Sequence, residues 1–511
     1  MLATVASAAL RGYDGLGVTV EVHVSNGLPG YTIVGLPDAT CREARDRVRA
    51  AILSSGLSWP MKKVTINLAP AGVRKPGGAL DLAIALGLLA ASAQIPAESV
   101  NQLGAIGELG LDGSLKPVHG MMCIASVVKA DRLIVPTSAS VEADATYPGE
   151  LYHAENLSEI VEALKGEGEL AKVSPQDHQV AKAVNEKLDM KEVLDQPLAR
   201  LALELSAAGE HNLLMVGPPG AGKTMLAKRL PTILPDLTAA DSLMTSKIHS
   251  AAGYRDFDGT LMNRPPFRAP HHGATKVGLL GGGTGAMRPG EISGAHSGVL
   301  FLDELGEYPT GHIEALRTPL EEGVIRVSRA SQSLELPADF ILIAAMNPCP
   351  CGSGISCRCS DSSRLKYSQR LSGPVMDRFD LRIELSPPGA DSLFSDDIAE
   401  DSDSIRSRVS SARKFAASRG VRANSKLDHA ALKKVTKLSA EAEVMLHAAV
   451  AKGLLSARGV AAVTRVGLTV SDLSAVRTDK VQAGQVELVE SDIAMAMSLR
   501  SELRQIFQGV S

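Results

Sequence analysis

The sequence has 511 residues, 45% of them hydrophobic and 22% charged, which is typical of a globular protein with two to four domains. The net charge of −4 excludes a broad basic surface, so any nucleic-acid site must be local. The first residues lack the features of a signal peptide and the longest apolar stretch, Ala79–Ala93, is too short to span a bilayer, so we expect a cytoplasmic protein.

Residues 1–165 predict a first domain in which strands and helices are mixed. Strands are predicted at the valine-rich runs Val18–Val24 and Val64–Leu68 and at the short run Arg132–Pro136. Thr40–Leu53 and Ala79–Ala93 predict helices, the second of them largely buried. Residues 104–116 predict a hairpin, because Asp112-Gly113 supplies a favoured two-residue turn. This order of elements is typical of an α+β layer.

Residues 166–191 are polar and rich in turn-forming residues, which indicates a linker before a second domain over residues 192–388. Pro197–Gly209 predicts an amphipathic helix. An apolar run then leads into LLMVGPPGAGKT at residues 213–224. This is the G-x-x-x-x-G-K-[ST] pattern of a phosphate-binding loop, placed after a predicted strand and before a predicted helix at Met225–Leu230.

Each residue type in this loop has a physical role in binding a polyphosphate. Glycines let backbone N–H groups approach the phosphates, and the positive end of the following helix faces the same anion. Lys223 is expected to reach the β- and γ-phosphates, and the Thr224 hydroxyl to hold Mg²⁺. A plain glycine turn is the alternative, but the Lys-Thr pair and the strand context favour ATP. The predicted nucleotide-binding residues of the loop are Gly217, Pro218, Pro219, Gly220, Ala221, Gly222, Lys223, Thr224 and Met225.

Two adjacent carboxylates follow another apolar run. Val299–Leu302 predicts a strand buried on both faces of a parallel sheet, and Asp303 and Glu304 come next. Carboxylates at the end of a buried strand are costly unless a cation or water uses them. Asp303 is therefore predicted to act on Mg²⁺ and Glu304 to polarise the attacking water. An exposed acidic turn is the alternative.

Two insertions lie in the second domain. The first, Ser250–Ala295, contains Gly281–Gly283, which cannot form a helix interior and suits a loop tip. It also contains His271-His272, for which structural hydrogen bonding is favoured over a metal site because adjacent side chains diverge. The second, Val324–Pro337, predicts a hairpin ahead of a third apolar strand, Phe340–Met346.

Four cysteines follow the third strand in the spacing C-x-C-x5-C-x-C. Four thiolates in a short loop can close a tetrahedral zinc site, although this spacing is not a common finger pattern. Structural zinc and reduced thiols both remain open, and a disulfide role is rejected for a cytosolic chain. The residues are Cys349, Cys351, Cys357 and Cys359.

The last part of the chain predicts an acidic connection followed by helices. Residues 389–404 are acidic with few apolar residues, which indicates a solvated linker. Residues 405–511 predict a helical domain, because three segments show helical periodicity. These segments are Ile405–Ala417, Leu427–Leu438 and Ala440–Leu455.

Several stretches resemble the ComM/YifB family, which joins a magnesium-chelatase-type AAA+ module to a Lon-protease-like N-terminal domain. In the first domain these are YTIVGLPDATCREARDRVRAAI and NLAPAGVRKPGGALDLAIALGLL. In the second they are FRAPHHGATKVGLLGGGTGAMRPGEISGAH and SGPVMDRFDL, and in the third LLSARGVAAVTRVGLTVSDL. The resemblance covers nearly the whole chain. It implies a Lon-like α+β domain, an α/β AAA+ core with a parallel sheet, and a helical lid.

The resemblance also assigns roles to single residues. Asn347, after the third strand, would orient the water near the γ-phosphate. Arg378 would reach the nucleotide of a neighbouring subunit, with Arg370 as a second candidate and an interfacial salt bridge as the alternative role. Arg465 in the lid would sense the γ-phosphate, with Arg458 as the second choice.

The same resemblance bears on the first domain. A Lon-type protease needs a Ser–Lys dyad, and the matching positions hold Ala79 and Met122, which are neither nucleophile nor base. We therefore expect a docking domain without proteolytic activity.

At the level of function, the resemblance implies a homohexameric ATP-driven motor that migrates DNA branches during recombination in natural transformation. DNA would lie in the central pore, near Arg326 and Arg329 of the second insertion and Lys276 and Arg288 of the first. A solvated charged hairpin is the alternative for the arginine pair. The alternative function is a magnesium-chelatase-like motor that remodels a protein partner.

Overall fold

A computed structural model describes residues 1–36, 39–73, 75, 77–174, 188–283, 287–329, 332–352, 357–370, 373–387, 389, 399–478 and 485–500. Side chains of residues 39–42, 329, 332, 361, 368 and 369 lie outside this description. The described residues form an N-terminal mixed sheet with helices, a core with a parallel sheet, and a C-terminal group of helices.

The N-terminal sheet has eight strands in the order β10-β9-β8-β5-β1-β2-β4-β3. Its longest pairing is antiparallel, from Leu2↔His23 to Arg11↔Asp14. The first strand was not predicted, because its apolar residues do not alternate with polar ones. Strands β1 to β10 are Leu2–Arg11, Asp14–Ser25, Gly30–Val34, Lys63–Ala69, Leu103–Ala105, Glu108–Leu109, Leu115–Lys116, Arg132–Pro136, Glu150–Ala154 and Ala171–Lys172.

Helices cover this sheet, and both predicted helices are present. The second, Asp81–Ala91, is buried along its whole length. The predicted hairpin is shorter than expected, since β6 pairs with β7 alone and β5 joins the large sheet. Its loop has three residues, Leu111 to Gly113, instead of two, because Gly110 N donates to Ser114 O at 2.8 Å and Gly113 lies in the left-handed region at φ +88°. Helices α1 to α5 are Ala39–Ser54, Asp81–Ala91, Met121–Ala125, Ser140–Asp144 and Leu157–Lys165.

The core sheet has five strands in the order β12-β15-β18-β11-β19, and all neighbours are parallel. Its three central strands are buried on both faces, as the continuous apolar runs predict. Two small hairpins, β13–β14 and β16–β17, lie outside this sheet and match the predicted glycine loop and second insertion. Strands β11 to β19 are Leu213–Val216, Phe267–Arg268, Gly281–Gly282, Arg288–Pro289, Val299–Leu302, Val324–Arg329, Gln332–Pro337, Ile341–Met346 and Leu381–Glu384.

Helices pack on the core sheet and continue into the C-terminal part. Helices α6 to α14 are Pro197–Gly209, Lys223–Ile233, Ala239–Ala252, Lys276–Leu280, Glu291–Gly294, Thr310–Ala315, Arg317–Glu322, Asp361–Gln369 and Gly373–Met376. The C-terminal helices are Ser402–Ser418, His429–Val435, Ala440–Ala451, Ala457–Arg477 and Glu490–Ser498, with β20 (Thr436–Leu438) pairing β21 (Val486–Leu488).

The first C-terminal helix begins earlier than predicted. Asp401 caps it by accepting a hydrogen bond from Ser404 N, so the helix starts at Ser402 inside the expected acidic linker. Residues 390–398 of that linker lie outside the described residues. Ala457–Arg477, which we call the lid helix, is by length and composition apolar enough to cross a membrane, yet 67% of its most apolar window is buried inside the protein.

Buried polar networks join the core to the C-terminal helices. His211, just before β11, contacts Asp380 through Nδ1 at 2.9 Å and Thr469 of the lid helix through Nε2 at 2.9 Å. Glu210 bonds to Arg413 and Arg422 at 2.9 Å each. Burial alone would raise the pKa of Glu210, but the guanidinium groups of Arg413 and Arg422 reverse that effect and hold it at about 2.

The N-terminal sheet region also contacts the core directly. Helix α3 packs on α8, where Gly120 N donates to Ser250 O at 3.0 Å and the Cys123 thiol contacts Lys247 O at 3.2 Å. Both dyad positions of the first domain are buried, Ala79 at 6% and Met122 at 0% exposure.

Candidate functional site

The predicted phosphate loop lies at the carboxyl end of the central strand β11, between β18 and β19. Gly220 and Gly222 have φ angles of +81° and +83°, which favour glycine, and helix α7 begins at the next residue, Lys223. A side chain at Gly217 would lie 2.6 Å from Leu385 O. The loop thus needs glycine both for its conformation and for its packing.

Lys223 is buried and its ammonium group is held by three acceptors. Nζ donates to Gly217 O at 2.6 Å, to Pro218 O at 2.9 Å and to Asn347 Oδ1 at 3.0 Å. Burial lowers the pKa of Lys223, whereas the charges of Asp303 and Glu304 act in the opposite direction. The contact with Asn347 joins the ends of β11 and β18.

Thr224 and Asp303 lie close enough to share a cation. Thr224 Oγ1 donates to Asp303 Oδ2 at 2.7 Å, and Asp303 Oδ1 accepts from Glu304 N at 3.0 Å. A hydroxyl and a carboxylate oxygen are the hard ligands that Mg²⁺ prefers alongside phosphate oxygens. The donor set therefore fits Mg²⁺.

Glu304 has an unusual backbone and an unpredicted partner. Its φ angle of +53° lies in the left-handed region, which is uncommon for a residue other than glycine. Its Oε2 lies 3.4 Å from His272 Nδ1, and the Glu304 side chain is 56% exposed. His272 follows β12 by four residues, and Glu304 follows the neighbouring strand β15 by two. The sequence alone did not indicate this contact, because it depends on β12 and β15 being neighbours in the sheet.

The other histidine has the structural role that we expected of the pair. Gly273 N donates to His271 Nδ1 at 3.0 Å, which closes a local turn. The two rings lie 4.1 Å apart, and the described residues include no third metal-ligating group grouped with them.

These residues surround one cleft of about 380 Å³, which is within the usual size of small-molecule sites. Its lining comprises Pro219, Gly220, Ala221, Gly222, Lys223, Thr224, Met225, Asp303, Glu304, Met346 and Asn347. A larger cavity of about 570 Å³ lies around Glu210, Arg413 and Arg422 and shares none of these residues. We assign the chemistry to the smaller cleft because every acid, amide and ammonium group that the sequence predicted there converges on it.

The four arginines proposed from the resemblance do not line the cleft within this chain. Arg378 is ion-paired with Glu321, donates to Pro374 O at 3.0 Å, and has a buried Nε without a hydrogen-bond partner. Arg370 is more exposed and donates to Gly306 O at 2.6 Å, three residues beyond Asp303.

The two lid arginines contact the core away from the phosphate loop. Arg465 donates to Leu427 O at 3.1 Å, lies 3.9 Å from Asp380, and also has a buried Nε without a hydrogen-bond partner. Arg458 is half exposed and lies 3.8 Å from Asp377.

The residues proposed to contact DNA differ in whether their side chains are already paired with carboxylates. Arg326 pairs with both Glu322 and Glu335, which partly neutralise it. The side chain of Arg329 lies outside the described part of the chain. Lys276 and Arg288, on either side of the glycine hairpin, are exposed.

The four cysteine sulfurs come together. The ligand atoms of Cys349, Cys351, Cys357 and Cys359 all lie within 4.8 Å of one another. The Sγ atoms of Cys349 and Cys351 are 3.3 Å apart, well beyond the ~2.05 Å of a disulfide.

Comparisons with known proteins agree with these features. The chain matches family models described as magnesium chelatase, subunit ChlI, at residues 189–393; subunit ChlI of Mg-chelatase at 20–139; and magnesium chelatase, subunit ChlI C-terminal, at 399–500. It is 40% identical to competence protein ComM of Haemophilus influenzae over 98% of both chains. It is 41% identical to uncharacterized protein YifB of Escherichia coli over 92% of this chain and 93% of YifB. Similarity to the magnesium-chelatase 67 kDa subunit of Heliobacterium mobile is 27% over 32% of this chain and 28% of that subunit.

Proposed function

The chain belongs to the ComM/YifB family of magnesium-chelatase-type AAA+ proteins, and from that premise we propose that it is an ATP-hydrolysing ring motor acting on DNA. The proposed activity is branch migration in homologous recombination during natural transformation. The observation that carries the ATPase part is the cleft in which Lys223, Thr224, Asp303 and Asn347 converge.

Within this proposal each cleft residue has one task. Lys223 exchanges its carbonyl partners Gly217 and Pro218 for phosphate oxygens when ATP binds, because a polyphosphate is the stronger acceptor. Thr224 and Asp303 hold Mg²⁺, which supplies positive charge to the phosphates. Asn347 Oδ1 keeps the ammonium of Lys223 aimed at the cleft.

Glu304 is the proposed base for the attacking water. Its carboxylate is exposed to the cleft and does not take part in the Thr224–Asp303 contact. His272 orients that carboxylate from the neighbouring strand end.

Arg378 is proposed to contact the nucleotide of a neighbouring subunit. Arg465 is proposed to contact the nucleotide from the lid helix. Each has a buried Nε without a hydrogen-bond partner, so each keeps a donor for a further acceptor. Arg378 would have to leave Glu321 to reach a neighbouring subunit, whereas Arg370 is half exposed already.

A homohexamer would place six copies of each basic loop around one axis, which raises the local positive charge despite a net charge of −4. DNA would then be held through phosphates, without sequence preference. At Arg326 the DNA must compete with Glu322 and Glu335, so Lys276 of α9 and Arg288 of β14 offer less hindered contacts.

We further propose three units, with the first domain at 1–165, the AAA+ core at 192–388 and the lid at 405–511, in a cytoplasmic protein. The first domain is proposed to be a Lon-like fold without protease activity, consistent with the buried Ala79 and Met122. The second candidate function, remodelling of a protein partner, is supported by the match to magnesium-chelatase family models and by the local similarity to a magnesium-chelatase subunit.

The deciding experiment measures ATP turnover of the full chain with no DNA, single strands, duplex and a four-way junction, with ring assembly followed by native mass spectrometry. Lys223→Ala serves as the control for contaminating ATPase. We expect DNA to stimulate turnover and ATP to drive junction migration. Turnover by an assembled ring that no DNA changes, with no junction migration, would reject the DNA function and favour a protein partner.

A further inference from the structure

The four-cysteine loop connects two sides of the proposed nucleotide cleft. Its first pair, Cys349 and Cys351, begins two residues after Asn347 at the end of β18. Its second pair, Cys357 and Cys359, ends just before helix α13. Any ion that binds both pairs therefore ties the end of the core strand to α13.

The sulfur positions fit a tetrahedral metal ion. A Zn–S distance of about 2.3 Å in a tetrahedron gives sulfur separations of about 3.8 Å. The observed separations are 3.3 Å for Cys349–Cys351 and 3.6 Å for Cys351–Cys357, with all four sulfurs within 4.8 Å. Four thiolates also suit zinc better than hard cations, which prefer oxygen ligands.

The first cysteine pair is packed against the phosphate loop. Gly352 N donates to Cys349 O at 3.0 Å, which turns the chain back toward the cleft. A Cβ at Gly352 would lie 3.0 Å from two ring carbons of Pro219 and 3.5 Å from Asn347 Nδ2. The loop thus lies in direct contact with two residues that line the cleft.

The second cysteine pair leads to the segment that follows the Asp303-Glu304 pair. On α13, Tyr367 is buried against Gly306, and its hydroxyl lies near the backbone of Asn347. Arg370, directly after α13, donates to Gly306 O at 2.6 Å. Helix α13 therefore touches both the Asn347 end and the Glu304 end of the cleft.

We propose that Cys349, Cys351, Cys357 and Cys359 bind one zinc ion, and that this ion sets the geometry of the nucleotide cleft. The zinc fixes the loop against Pro219 and Asn347 and fixes α13 against Gly306. Binding replaces thiol protons by the metal, and those protons pass to the solvent. Residues 347–352 and 357–360 lie in no helix or strand, so the metal adds a crosslink to the packing of the loop against Pro219.

The test uses the purified full chain and three measurements. Zinc is counted by elemental analysis, Co²⁺ is exchanged in to read thiolate charge-transfer bands, and affinity for a fluorescent ATP analogue is measured before and after chelation. The variants are Cys357→Ser with Cys359→Ser, and Cys123→Ala as a matched control for losing a cysteine elsewhere. Circular dichroism checks that each protein is folded.

We expect one zinc per chain in the parent and in Cys123→Ala, and none in the double variant. Chelation should weaken nucleotide affinity by roughly tenfold or more, the scale expected when binding groups move by about 1 Å. Added Zn²⁺ should restore it in the parent and in Cys123→Ala but not in the double variant. Absence of zinc and of cobalt–thiolate bands would overturn the metal site. Unchanged affinity in folded, zinc-free protein would overturn the effect on the cleft.

The inference rests on the proposed nucleotide site, and the assay separates the two. Lys223→Ala should retain one zinc per chain while losing nucleotide affinity. A parent protein that holds zinc but binds no nucleotide would leave the metal ion assigned, reject its effect on the cleft, and reject the proposed ATPase as well.

Discussion

Replacing Glu304 with glutamine isolates the proposed base from the rest of the cleft. The substitution keeps the shape of the side chain but removes its charge. Lys223, Thr224 and Asp303 keep their contacts with one another and with Asn347, because none of these contacts uses the Glu304 carboxylate. Binding of ATP should therefore persist, and it should strengthen slightly because the variant has one negative charge fewer next to the phosphates.

The expected fall in ATP turnover follows from the proposed role of Glu304 as a general base. General-base catalysis contributes about 10² to 10⁴ in rate, or ~3–5 kcal/mol of barrier. The contact with His272, at 3.4 Å between side chains that are 36% and 56% exposed, is worth at most about 1 kcal/mol of stability. The expected fall in turnover therefore cannot be attributed to unfolding.

The assay compares phosphate release under saturating ATP with binding of a fluorescent analogue. Glu443→Gln, which changes a 63% exposed carboxylate on a C-terminal helix, is the matched control and should behave as the parent does. If Glu304→Gln retains more than about a third of the parent turnover, the assignment of the base is wrong.

Other substitutions test the remaining assignments. Lys223→Ala should abolish measurable binding of the ATP analogue while leaving the thermal midpoint close to that of the parent. Purified protein should not cleave an unfolded protein substrate, and cleavage abolished by a mutation within residues 1–165 would contradict this. Arg326→Ala combined with Arg329→Ala should lower DNA affinity and leave basal ATPase unchanged. The slope of log K against log salt should fall by about one for each phosphate that the variant no longer binds. Equal DNA binding by parent and variant across a salt series would exclude this hairpin as the DNA site. The pKa of Glu210 is lower in the folded chain, so the free energy of unfolding should fall as the pH drops from about 4.5 to about 2, and Glu210→Gln should flatten that part of the pH profile in acid denaturation.

The core of the fold could be predicted because its sequence signals are local. Continuous apolar runs predicted β11 and β15 with their observed bounds, and glycine with Lys-Thr marked the loop after β11. The first strand, Leu2–Arg11, was missed because its four alanines and one serine fit neither periodicity. The turn near Asp112 was misjudged because the Asp-Gly pair does not specify which residues on either side pair with each other.

The site could be predicted only where residues adjacent in sequence act together. Asp303 and Glu304 are neighbours, and so are Lys223 and Thr224, so their patterns were visible. The partner of Glu304 depends on strand order, since His272 reaches it from β12. In the same way, no spacing in the sequence indicated that α13 would contact Gly306, because residues 306 and 367 are far apart in the chain.

The backbone conformation of Glu304 costs folding free energy, yet it carries the side chain that is proposed to act in ATP turnover. A residue with a side chain costs about 1 kcal/mol in the left-handed region, and glycine or asparagine would relieve that cost. Selection or computational redesign for thermal stability alone would favour replacing Glu304. An ancestral or consensus reconstruction of this protein should therefore keep position 304 fixed, since a substitution that relieves this backbone strain would also remove the proposed base.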